Sequence, residues 1–326
     1  MVTTKATVDV EVIANAVKLS CRAPSLHNSQ PWRWVASNTA IDLFADPHRV
    51  VRSHDKSGRQ ALISCGVALD HFRVAMAAAG WNTTVTQFSE PDNRDHLASI
   101  TFTPLEFVTQ ASRYHADAIL QRRTDRLPFR APSKLLSVVL RGSLSGLATL
   151  DILADDTRPL LAEATRLTDS IRYDDDLYHR ELQWWTAPFT PNEGIPPNAL
   201  ISRYERQRVP ANRSFRDSGS GDRRAVMPQD EAKVLVLSTP ADTREDALNC
   251  GQVLSRVLLD CTIAGLATCP MTHVTEIASS REIIRELTGR QAIPQVLIRV
   301  GTAPSLENIP APTPRRSLRE VLEFRQ

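Results

Sequence analysis

The sequence predicts a layered α/β or α+β fold, and three observations predict it. Short β-branched and apolar runs bounded by turn residues alternate with helical stretches, which indicates a layered sandwich rather than a bundle or barrel. Two long helical stretches carry matched apolar stripes, and three short blocks recur in the same order along the 326 residues. The layers are therefore expected in two related halves, 1–110 and 111–326. A hydrophobic fraction of 42% with 23% charged residues supports a sizeable core and excludes disorder as the main state.

Strands are expected at Trp32 to Ala36, Ile41 to Ala45, Leu97 to Phe102, Leu150 to Leu153, Val234 to Ser238 and Val296 to Val300. The repeated blocks tie them together. Arg22-Ala23-Pro24-Ser25 recurs as Arg130-Ala131-Pro132-Ser133, and Ile41 to Asp46, with Arg49, recurs as Leu150 to Asp155, with Arg158. Arg59, Cys65-Gly66, Leu69 and Ala79-Gly80 recur at Arg244, Cys250-Gly251, Leu254 and Ala264-Gly265. The offset rises from 109 to 185 between the last two blocks, which locates an insertion of 76 residues between Arg158 and Arg244. The helix stripes, Leu62, Cys65, Leu69, Phe72 and Met76 against Ala247, Cys250, Leu254, Val257 and Cys261, have the spacing of a seam for a partner helix. The natural partner is the other copy, although two unrelated core helices would show the same stripes.

Charge and cysteine usage narrow the function classes. The net charge of +2 argues against a domain-wide grip on nucleic acid, and arginine supplies 34 of the 39 positive charges, so its clusters are read one by one. The seven arginines between Arg203 and Arg224 are diluted by acids and read as a solvated surface. Five cysteines without C-x-x-C spacing indicate neither a disulfide framework nor a zinc site, and Cys65, Cys250 and Cys261 fall on apolar helix faces as core. The eight histidines show no metal-ligand spacing, and no metal is expected. No apolar stretch is read as approaching the roughly 20 residues of a membrane span, and the N-terminus has no signal pattern, so a cytoplasmic protein is expected. Gly219-Ser220-Gly221 lacks the rest of a dinucleotide fingerprint, and Gly142 to Gly146 puts leucine where a nucleophile elbow needs serine.

The copies differ where chemistry would sit. After its Arg-Ala-Pro-Ser block the first copy runs Leu26-His27-Asn28-Ser29-Gln30-Pro31-Trp32, a polar loop framed by prolines, whereas the second continues into Lys134-Leu135-Leu136, which reads as helix. Before the block the second copy carries Arg122-Arg123-Thr124-Asp125-Arg126, where the first has Ala14, Asn15 and Lys18 at the arginine positions. If the halves meet about a pseudo-twofold axis, one junction joins the amide loop to the basic cluster. Guanidinium forks bind phosphate, and the Ser-x-x-Asn-x-Gln loop offers hydrogen-bonding groups for a planar heterocycle, a combination that fits a phosphorylated flavin. The same residues also suit a cationic helix terminus and a turn, and His27 suits either flavin contact or a backbone bond.

On Ala23-Pro24-Ser25, Asn28, Gln30-Pro31-Trp32, Arg122 to Arg126, Ala264 to Cys269 and Arg315-Arg316-Ser317-Leu318, the chain resembles the FMN-dependent nitroreductases, and most closely their single-chain Acg-type branch. The resemblance implies a nitroreductase-like three-layer fold in which two fused halves imitate the family homodimer, a monomeric pseudo-dimer with one FMN site kept. It implies that Arg122, Arg123, Thr124, Arg126 and Arg315 or Arg316 hold the phosphate. Pro24, Ser25, Asn28, Ser29 and Gln30 would line the isoalloxazine, with Cys269, Pro270 and Met271 along the ring's reactive edge. In such a protein the flavin carries the chemistry, so no catalytic side chain is named. NAD(P)H is the transient reductant and a nitroaromatic or quinone the acceptor. The insertion is expected to form a lid at about 184–228, with Trp184, Trp185 and Phe189 packing over the flavin. A closed lid leaves a second reading open, FMN storage without turnover.

Overall fold

The computed structural model describes residues 7–132, 146–187, 192–215, 222–304, 306 and 311–325. Helix α1 (Val10–Ser20), capped by the Asp9 carboxylate, leads into β1 (Trp32–Ala36) and β2 (Ala40–Ala45), an antiparallel hairpin closed by a three-residue turn. The long helix α2 (Arg59–Ala78) follows, then β3 (Trp81–Gln87), β4 (His96–Pro104) and α3 (Gln110–Gln121). In the later half come β5 (Thr149–Ile152), α4 (Arg158–Ile171), α5 (Asp176–Trp185), α6 (Arg203–Gln207) and β6 (Lys233–Thr239). The remaining elements are α7 (Arg244–Ile263), β7 (Ala267–Met271), α8 (Ala278–Thr288), β8 (Ile293–Gly301), α9 (Leu318–Val321) and β9 (Leu322–Phe324). All six expected strands form. Three more appear: Thr-rich β3, whose side chains alternate in exposure, β7, whose Pro270 is tolerated because β7 is an edge strand, and the short β9.

The two sheets repeat one another. One runs β3-β4-β2-β1-β9 and the other, read in reverse, β7-β8-β6-β5, with every neighbour pair antiparallel except β1 and β9. By sheet position β5 corresponds to β1 and β6 to β2, so the repeated Ile41 and Leu150 blocks occupy non-equivalent strands. The extra residues accordingly lie between β5 and β6, where the first sheet has only the Ser37 to Thr39 turn. The C-terminal β9 crosses back to pair with β1 of the first sheet.

Helix α2 packs on β2 and β3, α7 packs on β6, β7 and β8, and the two helices pack on each other, giving three layers. Their crossing is set by glycine. A Cβ on Gly66 would stand 2.1 Å from the Leu248 carbonyl oxygen, and one on Gly251 would stand 2.1 Å from that of Ile63. The repeated Cys-Gly pairs thus meet reciprocally at one point. The stripe does not make this seam. Phe72 stacks on Trp34 at 5.1 Å and lies near Phe102, and the Cys65 thiol donates to the Pro31 carbonyl at 3.2 Å, so that face covers its own sheet. With both faces covered, α2 is buried along nearly its whole length. Contrary to the sequence expectation, α2 is long and apolar enough for a membrane span, yet it is the central core helix. All five cysteines are buried and unbridged.

Candidate functional site

The proline-framed loop takes a costly backbone. His27, Asn28 and Gln30 have φ of 51°, 58° and 53°, a region that side-chain-bearing residues avoid unless neighbours hold them there. The holding bonds are local and distant. Ser25 Oγ accepts from the Gln30 amide at 3.0 Å, Arg49 Nε donates to the Ser29 carbonyl at 2.6 Å, and Asn28 Nδ2 donates to the carbonyls of Gly194 (3.0 Å) and Pro314 (3.1 Å). Gln30 Nε2 donates to the Asn192 carbonyl at 2.8 Å while its Oε1 accepts from the Arg316 amide.

This loop, the first turns of α2 and strand β7 wall a cleft. Pro24, Ser25 and His27 come from the loop, Gln60, Ser64 and Val67 from α2, and Cys269, Pro270, Met271 and Thr272 from β7 and the turn after it. The first and second halves therefore both contribute. A basic cavity of about 490 Å³ adjoins the cleft through the shared residues Pro24, Ser25, Thr124, Arg126 and Ile195. Arg22, Asn28, Arg122, Arg123 and Arg315 line the rest of its polar wall.

The cavity holds cations without counter-anions. Among the described residues, none of Arg22, Arg122, Arg123, Arg126 and Arg315 is paired with a carboxylate; they donate to backbone carbonyls such as those of Arg22, Ala23, Leu120 and Ala199. Nε and Nη1 of buried Arg122 have no partner among the described residues. Burial, with Arg22 and Arg123 nearby, pushes the Arg122 guanidinium down to about 9, and burial with Arg22 and Arg122 does the same to Arg315. Arg123 is exposed and caps the end of α3 through its Nη1. Arg316 turns away, 3.6 Å from the Asp46 carboxylate and bonded to the Gln30 and Glu320 carbonyls, so it is Arg315 that joins the cluster.

Ser29 and Gln30 line neither cavity: both serve to hold the loop, and Asn28 lies on the basic side. The segment between β5 and β6 contributes to the cleft lining, but with residues other than the expected tryptophans. Trp184 is half-exposed and Trp185 lies beside Arg49, while Ile195, Asn212, Arg213 and Phe215 face the cleft; Phe189 lies outside the described residues. The helical run ahead of the expected lid is in two pieces, α4 and α5, separated at Tyr173-Asp174, where Asp175 caps α5. The arginine-rich Arg203 to Arg224 stretch is not simply a solvated surface. Buried Arg213 pairs with Glu276 and donates to Tyr178 Oη at 2.9 Å, and buried Arg224 reaches Asp125 at 2.7 Å, because each meets an acid brought from a distant segment.

With this geometry in place, the relatives are informative. No protein-family model matches the chain. A Mycobacterium tuberculosis H37Rv protein of uncharacterised function is 52% identical over 322 residues, 97% of this chain and 94% of its own length. A second M. tuberculosis H37Rv protein, provisionally named NAD(P)H nitroreductase acg, is 51% identical over 321 residues, 98% of this chain and 97% of its own length. The chain belongs to the NAD(P)H nitroreductase family. A solved structure of the FMN-dependent nitroreductase NfnB from Mycobacterium smegmatis in complex with NADPH aligns at TM-score 0.42 and 16% identity, covering 67% of this chain and all of NfnB.

Within this nitroreductase-family chain several cavity residues escaped sequence reasoning. Arg22 was legible as part of the repeated Arg-Ala-Pro-Ser block, and Gln60 and Ser64 sit one turn apart where α2 begins. Asn212, Arg213 and Phe215 carry no motif.

Proposed function

We propose that the chain binds one FMN, its phosphate in the basic cavity and its isoalloxazine in the adjoining cleft, and serves as an NAD(P)H-dependent oxidoreductase toward nitro compounds or quinones. The observation that carries this reading is the carboxylate-free arginine cluster around buried Arg122, which adjoins the cleft through shared lining residues. A buried charge without a counter-ion is unfavourable, and a phosphate would relieve it, held by the unpartnered Nε and Nη1 of Arg122 with the Arg315 guanidinium beside it. Arg126, Thr124 and Arg22 complete the phosphate cradle, with Arg123 at its exposed rim. Pro24, Ser25 and His27 support one side of the ring and Cys269, Pro270 and Met271 the other. Bound FMN supplies the hydride and electron transfer between reductant and acceptor. The chain's part is to orient the ring and control access to it.

A single site per chain is supported by the other junction. There Gln87 Nε2 donates to Asn249 Oδ1 at 2.9 Å and Arg244 lies over Phe88, so side chains bridge the halves directly. The halves 1–110 and 111–326 thus act as fused, unequal protomers, with no second copy required. One feature favours FMN storage as a second reading: buried ion pairs, Arg213 with Glu276 and Arg224 with Asp125, fasten the lid over the cleft. Steady-state NAD(P)H oxidation with menadione or nitrofurazone separates the two. Turnover well above that of free FMN supports the oxidoreductase, and rates at that background support storage. A purified chain that stays colourless and takes up no added FMN would refute both.

A further inference from the structure

Three residues that line the cleft each carry a buried polar atom with no partner among the described residues: His27 Nε2, Gln60 Oε1 and Asn212 Nδ2. Each belongs to a side chain more than nine-tenths buried, where an unpaired polar atom is unfavourable and a ligand atom in the cleft would satisfy it. Their positions divide them. His27 and Gln60 come from the loop and helix that form the cradle. Asn212 comes from the segment between β5 and β6, the roof of the proposed site, beside Arg213, Phe215 and Ile195.

We infer that the roof is half of an acceptor site, in which the Asn212 amide donates a hydrogen bond to an oxygen of a planar nitro or quinone acceptor stacked between the flavin and Phe215. This rests on the FMN reading above and extends it to a specificity residue. A roof that only sealed the ring would present apolar surface, since a buried carboxamide without a partner weakens a seal. Amide nitrogen is a donor only, which selects an acceptor bearing an exposed oxygen. Arg213 adds favourable charge. Its pairing with Glu276 and Tyr178 keeps it protonated beside the cleft despite burial, so negative charge gathering on an acceptor oxygen is stabilised there.

The test uses the FMN-loaded chain in its oxidised state and needs no turnover. Nitrobenzene is titrated against the flavin visible band, with toluene as a partner of similar shape that lacks the oxygens. Asn212→Ala and the near-isosteric Asn212→Asp are each expected to weaken nitrobenzene about five- to ten-fold, the worth of one buried hydrogen bond, while toluene and FMN affinities stay within two-fold. Equal weakening of nitrobenzene and toluene, no change in either, or failure of the unaltered protein to bind nitrobenzene would each overturn the acceptor site. Loss of FMN from both variants would assign Asn212 to the flavin instead, overturning this inference and leaving FMN binding intact. Failure of the unaltered chain to bind FMN counts against the parent reading.

Discussion

At the scale of single residues, the arginines of the basic cavity do unequal work, and their surroundings predict how. Arg315 lies among unpaired cations, whereas Arg316 already has Asp46 and two carbonyls. Arg315→Ala is therefore expected to lower FMN affinity by about ten- to a hundred-fold, consistent with the roughly 1.5 to 3 kcal/mol of a charged hydrogen bond, and to lower riboflavin affinity far less. Arg316→Ala should leave the ratio of FMN to riboflavin affinity nearly unchanged. Quenching of flavin fluorescence reads both, and equal losses for the two ligands in Arg315→Ala would contradict the phosphate assignment. Histidine supplies a second residue-scale prediction. Burial, together with Arg213, pushes His54 down to about 2 and His273 to about 3, and burial holds His27 and His71 well below the usual 6.5. A depressed folded-state value means that only the unfolded chain takes up protons just below pH 6.5. These four histidines thus favour folding above that pH and lose the contribution as pH falls, by about 1.4 kcal/mol per unit for each. His115, raised by its hydrogen bond to Asp260, opposes them with one proton. The urea midpoint should drop steeply from pH 7 to 5, and a flat profile would show that the buried histidines are not held neutral.

Among the elements, the α2/α7 crossing is the most demanding contact because two glycines leave no room between backbones. Gly66→Ala or Gly251→Ala must push the helices apart against carbonyl oxygens, at a cost of about 1 to 3 kcal/mol or more. Once one alanine has separated them, the second meets less resistance, so the double variant is expected to lose less stability than the two singles added. Denaturant midpoints of the four proteins measure this, and strict additivity would mean that the helices do not meet there. Sequence periodicity found both helices and their equivalence but placed the seam on the wrong face. Phe72 and Cys65 are apolar for the sake of their own sheet, whereas the interhelical contact is made where side chains are missing. An apolar stripe cannot announce a contact of that kind. Strand β3 escaped for a related reason, since its threonines alternate in exposure without forming an apolar run.

For the whole molecule, the proposed single site rests on one junction lined by cavities and the other bridged by side chains. The purified protein is accordingly expected to hold one FMN per chain and to run as a monomer of 36.2 kDa, measured by flavin absorbance against protein mass and by light scattering; two FMN per chain would refute the fused, single-site reading. Much of this architecture was legible in the residues themselves. Composition, the matched Cys-Gly helix blocks and β-branched runs marked a layered chain of strands and helices with two related halves, and the proline-framed loop and Arg122 to Arg126 marked the elements that meet at the cleft. Those are local signals, carried by a few neighbouring side chains and by backbone preference. What only tertiary structure decided was partnership at a distance: Arg315 rather than Arg316 in the cluster, Ser29 and Gln30 spent on holding a loop, and Arg213 buried against Glu276 more than sixty residues away in sequence. A guanidinium or an amide has the same composition wherever it points, and the closing of the chain around it chooses its partner.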